Sequence, residues 1–182
     1  MRIYELDPPE GYEWILPENQ DDFEVFRRFD GSARASSWTP VRVRLLKEDE
    51  SQRFLPSDMP WLGHHAPVLK ERAVDALKPA LIKDGELLPL ACDDADMWVF
   101  NTTTILDALD LDQSDLVEFS SGRIMRVKSY VFRSDRLRGV CAFKVPQLIR
   151  SSLFVTDEVV ERASTLTGVG FKLLWDGSAQ AA

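Results

Sequence analysis

Long apolar runs are missing from this chain. No stretch of its 182 residues approaches the roughly eighteen consecutive apolar residues a membrane-crossing helix needs, so no membrane partner is expected. The opening MRIYELDPPE turns acidic within five residues and has no apolar signal core, so a secretory leader is not expected either. Cysteine is scarce. Cys92 and Cys141 stand about fifty residues apart without a CxxC, which excludes a disulfide framework and predicts a reduced, cytoplasmic setting with both thiols buried as small apolar groups. Positive charge is short as well. Lys and Arg number 22 against 30 Asp and Glu, for a net charge of -8, and phosphate neutralisation supplies much of nucleic-acid affinity, so nucleic acid is not the expected partner.

The motifs of catalysis are also thin. Gly168-x-Gly170 lacks the third glycine of a dinucleotide fingerprint, no Walker lysine follows a glycine-rich loop, and no Gly-x-Ser-x-Gly elbow occurs. The only histidines, His64 and His65, are adjacent and point in different directions on a helix or a strand, whereas zinc takes three or four protein ligands. Asp110-x-Asp112-x-Ser114 imitates an EF-hand opening, but Asp115 stands where glycine is required and Ser121 where glutamate is. The expectation is therefore no enzyme, no metal and no cofactor. A metal-dependent hydrolase built on the His64/His65 loop and a homo-oligomeric adaptor joined by loop aromatics are the rivals.

What is present is many short strands. IYEL, EWILPE (13–18), FEVFRRF (23–29), VRVRLL (41–46), ELLPLAC, MWVFNT, LVEF, GRIMRVKSYVF, VCAFKV (140–145), the 151–156 segment and GVGFKLLW all read as β, bounded by turn residues. Two moderate helices interrupt them. In APVLKERAVDALKPAL, Leu69, Ala73, Leu77 and Leu81 make one apolar stripe; Pro67 suits the first turn, and Pro79 should kink the helix or end it near Leu77 to Lys78. DEVVERASTL is the second, with Thr156 as candidate N-cap. ILDALD reads as one or two helical turns, and PSDMPWLGHHAP (56–67) as an exposed loop. This predicts an α+β fold with a mostly antiparallel sheet: one domain over 1–176, with a β-rich part at 1–60, a core at 67–176 and a flexible tail at 177–182.

Charge is segregated along the chain. Residues 84–118 hold ten acids and no Lys or Arg, while 119–150 hold eight basic residues and one acid. Either neighbouring strands pair these charges, or the acidic turn with Asp93, Asp94 and Asp96 steers a basic partner. Trp38 and Trp61 lie in loop-like surroundings, where an aromatic either plugs a core edge or anchors a partner. Arg126, Lys128 and Tyr130 share one strand face, as a solvated sheet or a single-strand nucleic-acid platform requires; the solvated face is the expected reading.

Between residues 86 and 171, ELLPL is followed by WVFNTTTILDALD, Ser114, GRIMRVKSYVF, VCAFKVPQLIRSSLFVTDEVVERA and TGVGF. In that order and spacing they resemble a bacterial polymorphic-toxin immunity family, the eleventh in that series and formerly a domain of unknown function. Phe100-Asn101 stands where Leu-Asn is usual, Ala142-Phe143-Lys144 replaces Ile-Phe-Arg, and Gly170 is an extra glycine. The resemblance implies a small cytosolic α+β protein, monomer or weak dimer, that binds and neutralises a cognate toxin by stoichiometric occlusion. It implies no catalytic residues and gives Asn101, Asp107, Asp110, Ser114, Phe143, Phe154, Gly168 and Phe171 structural roles. A basic nuclease is the toxin type that the acidic run would fit.

Overall fold

The computed structural model describes residues 1–178, so most of the expected tail (177–182) lies outside the described residues. The fold is α+β, as expected, with the strands divided among several antiparallel sheets. At its centre β1 (Arg2–Leu6) lies between β10 (Phe154–Thr156) and β11 (Phe171–Asp176), and β10 pairs in turn with β9 (Ala142–Phe143). The two ends of the chain thus complete one sheet.

Period-two alternation gives that sheet two buried faces. Ile3, Phe143 and Phe154 point to one side, into an aromatic cluster with Phe132 and Trp175. Tyr4, Leu6, Ala142 and Val155 point to the other, against α2 (Glu71–Leu81) and α3 (Asp157–Arg162). A second sheet of β4 (Val68–Lys70), β6 (Met97–Thr102) and β5 (Gly85–Leu90) is likewise covered on both sides. Leu69 and Phe100 join the helical cluster. Val68, Leu88, Met97 and Val99 face a separate cluster with Ile15, Val43 and Leu45 from the β2 (Trp14–Pro17) and β3 (Val43–Leu46) pair. The pair β7 (Asp115–Glu118) and β8 (Ile124–Ser129) stands apart as a two-stranded ribbon.

Several expectations are corrected. FEVFRRF is not a strand: Phe23–Arg27 forms the short helix α1. Phe23, Phe26 and Phe29 recur every third residue, Phe26 and Phe29 are buried with their rings in edge contact at 6.0 Å, and Glu24 pairs with Arg27 at 2.7 Å across one turn. A helix satisfies this spacing where a strand would put Phe26 and Phe29 on opposite faces. The long helix begins only at Glu71, because Val68–Lys70 is claimed by pairing with Met97–Val99. It also runs past Pro79 to Leu81: Ala80 and Leu81 are buried in the helical cluster, while exposed Pro79 leaves its lost bond to solvent. ILDALD is extended, because Ile105 bridges to Lys144 and Leu109 to Phe132. The 56–67 loop is not uniformly exposed: Ser57, Met59 and Pro60 are buried. Thr156 occupies the N-cap position of α3 without a side-chain capping bond. In β8, Met125 is exposed and Ile124 is half-buried, as register shifts in the ribbon break the alternation. Tyr130 stacks on Phe132 and meets Phe154 edge-on, so it presents no face for a base.

Candidate functional site

Segment 11–15 and the incoming loop 54–61 run side by side and build the floor of a cleft. Leu55 N donates to Gly11 O (2.8 Å), Glu13 N to Leu55 O (2.9 Å), Trp61 N to Glu13 O (3.1 Å) and Ile15 N to Trp61 O (3.0 Å). With Ile15 drawn into the core, alternation along β2 turns Trp14 outward, where it is 46% exposed. The open cleft of about 610 Å³ is lined by Tyr12, Trp14, Phe54, Met59, Trp61 and His64. Asp7, Glu10, Glu13 and Asp49 also line it, and no Lys or Arg does. Glu13 is committed internally, buried and bonded to Lys70 Nζ (2.6 Å) and Ser57 N (3.0 Å). Gly168 closes one wall: its φ is +68°, and a Cβ there would fall 2.5 Å from the Tyr12 ring and 2.8 Å from Ser57 Oγ. Fixed backbone pairing beneath exposed aromatics is a preorganised surface, which spares a binding partner part of the ordering cost.

The two histidines are separated by the fold. His64 Nδ1 donates to the Leu6 carbonyl at 3.0 Å, its ring meets Trp61 edge-on at 4.7 Å, and the residue lines the cleft. His65 turns inward, where its Nε2 is buried without a partner. Burial first, then the Lys144 charge, pushes its pKa down to about 4. Among the described residues no three His, Cys, Asp or Glu side chains gather in metal-holding range.

His65 carries a pH prediction. An unfolded histidine titrates near 6.5. Between about pH 6.5 and pH 4 the unfolded chain therefore binds a proton that the folded chain refuses, and stability falls with pH. From pH 7.5 to pH 5 the loss assigned to this group is about 2 kcal/mol. Urea midpoints measured over that range should fall in the wild type and stay much flatter in His65→Gln; parallel slopes would clear His65 of the effect.

The acidic turn is largely paired. Arg42 meets Asp93 at 3.2 Å and Lys47 meets Asp94 at 2.5 Å, so strand neighbours neutralise two of the three exposed acids. Asp96 has no ion-pair partner among the described residues. Trp38 sits at a core edge, its Nε1 donating to Pro89 O (2.8 Å) and its ring against Phe29 at 6.0 Å. Trp61 packs against the helical cluster and also lines the cleft.

The remaining motif residues hold the fold. Asp110 Oδ1 accepts from Asp112 N (3.1 Å) and Gln113 N (3.2 Å), capping a turn and not a helix, and Asp107 lies 3.7 Å from Arg133. Asn101 and Ser114 bond at long range: Asn101 Nδ2 reaches Ser32 O (2.9 Å) and Glu86 (3.0 Å), and Val131 N donates to Ser114 Oγ (3.0 Å). Phe143 and Phe154 are core aromatics, and Phe171 is half-buried against the helical cluster. The sequence reading missed Tyr12, Trp14 and Phe54. The alternation in EWILP, which opposes Trp14 to Ile15, was the available signal. It also missed Lys144, wholly buried with Nζ donating to Phe29 O at 2.7 Å. Burial holds that lysine's pKa down to about 8.

No protein-family model matches the chain, and no curated protein matches it.

Proposed function

We propose that this chain is an immunity protein: a cytoplasmic, non-catalytic inhibitor that binds a cognate toxin one to one and covers its working surface. The observation that carries the reading is the aromatic cleft, which is lined by four carboxylates and by no lysine or arginine. Such a lining suits a basic, partly apolar segment of another protein. Trp and Tyr supply large contact area at low entropy cost, and unpaired rim acids attract and orient a cationic partner. The motif order from 87 to 171 supports the same reading through its resemblance to immunity proteins, while most of the cleft lining belongs to the N-terminal sixty residues, which match that family only loosely. The partly neutralised turn at Asp93, Asp94 and Asp96 becomes a secondary face in this account.

Co-expression with the product of the adjacent gene tests the proposal. Rescue of growth and co-purification in equal amounts are expected. Trp14→Ala with Glu10→Lys and Asp49→Lys should weaken the purified complex at least tenfold while circular dichroism stays native, since all three residues are exposed. Reversal of Asp93, Asp94 and Asp96 should slow association by less than the cleft variant does. Absence of both rescue and co-purification would overturn the immunity reading; full affinity in the cleft variant would remove this surface from it.

A further inference from the structure

On this strongly acidic chain one cleft has the opposite character. An opening of about 630 Å³ is lined by Arg27, Arg28, Arg34 and Arg150, with only Glu24 and Asp30 opposing them. Behind its wall stands Lys144, fully buried, with Asp30 and Arg34 as its charged neighbours. Four arginines therefore face two carboxylates, with the Lys144 charge close behind.

Cations near the end of α1 have an ordinary explanation, since they complement the carbonyl end of a helix. That need is already met here. Arg34 Nη2 donates to the Arg28 carbonyl and Lys144 Nζ donates to the Phe29 carbonyl at 2.7 Å. Glu24 is occupied by Arg27 at 2.7 Å, and Asp30 accepts from Ser32 N at 3.2 Å while lying 3.7 Å from Arg34. Arg28 and Arg150 are left with no side-chain hydrogen bond or ion pair among the described residues, although both open on the same space. Arg34 Nε is buried and unpartnered beside them. Helix capping uses Nη2 of Arg34 but leaves its Nε, Arg28 and Arg150 free of that task.

We infer that this cleft is an anion site for a phosphate-bearing small molecule, gripped by Arg28 and Arg150 with Arg34 beneath. Guanidinium forks match phosphate oxygens two at a time, and a dianion would relieve the repulsion among the four arginines. The opening is wider than a single phosphate, which favours a diphosphate group or a phosphate carried on a larger body. The site shares no residue with the aromatic cleft, so it stands or falls independently of toxin binding.

Isothermal titration of the full chain with pyrophosphate, at ionic strength held constant with sodium chloride, is the test. Sub-millimolar binding is expected, weakened at least tenfold in Arg28→Gln/Arg150→Gln. The matched variant Arg123→Gln/Arg126→Gln removes the same charge from the ribbon and should bind as the wild type does. No heat with pyrophosphate, equal weakening in both variants, or binding of polyglutamate in preference to pyrophosphate would each overturn the proposal, the last in favour of an acidic protein segment. Exposed Arg28 and Arg150 can be replaced without disturbing the core, and unchanged thermal midpoints will verify this.

Discussion

An Asp84→Ala variant is expected to lose about 3 kcal/mol of folding stability, while Asp84→Asn loses about 1 kcal/mol. Asp84 is 5% exposed and lies just beyond α2, yet it anchors two distant segments. Its Oδ2 accepts from Cys141 N (2.7 Å) and Ala142 N (3.0 Å) at the start of β9. Its backbone carbonyl accepts from Thr103 N (3.0 Å) and Thr104 N (3.1 Å) as the chain leaves β6. Alanine keeps the second pair of bonds and strands the first two donors in the core, where each unpaired N–H costs about 1–3 kcal/mol. Asparagine keeps an acceptor oxygen and gives up the charge. Urea unfolding followed by tryptophan fluorescence measures the split. Equal losses in the two variants, or a loss below about 1 kcal/mol in the alanine variant, would show that the clamp is not what holds β9.

The second large effect is expected at Phe154. Its ring lies 5.3 Å from Phe132, 5.5 Å from Phe143 and 5.7 Å from Tyr130, with no exposure. Phe154→Ala removes buried area and leaves a cavity in the aromatic face of the central sheet, a cost of about 4 kcal/mol; Phe154→Leu should cost about 1 kcal/mol. Against the 5–15 kcal/mol typical of whole domains, the alanine change brings the protein close to unfolding at 37 °C. Asp84 and Phe154 both act on the β9–β10 pair, so their effects should not add. A denaturation midpoint unchanged by Phe154→Ala would mean that the ribbon end and β11 hold the sheet without this cluster.

These two residues differ in how visible they were before the fold was known. Phe154 belongs to an apolar run that reads as a buried strand, and its motif position marks it as structural. Asp84 reads as one acid among ten in a charged stretch, and nothing in its neighbours announces that its carboxylate is turned inward. A residue's burial depends on which distant segment covers it. For Asp84 that segment is 57 and 58 residues away along the chain.

The same distinction applies to the candidate sites. Trp61 was visible as an aromatic in a loop, but the cleft needs Tyr12, Trp14 and Phe54 beside it, and only the parallel bridges from Tyr12 to Leu55 and from Trp14 to Trp61 bring them together. Arg150 meets Arg27 and Arg28 across more than 120 residues of chain. No local pattern carries such a meeting.

Sequence alone determined the α+β class, most strands, the two longer helices and the structural use of Asp110, because backbone propensity, period and turn chemistry act within a few residues. Tertiary structure decided which carboxylates are neutralised, that His64 and His65 part company, that Val68–Lys70 pairs as a strand before α2 begins, and where the acidic and basic clefts form. Those outcomes depend on desolvation and pairing between segments far apart in the chain, and such energies exist only once the chain has closed on itself.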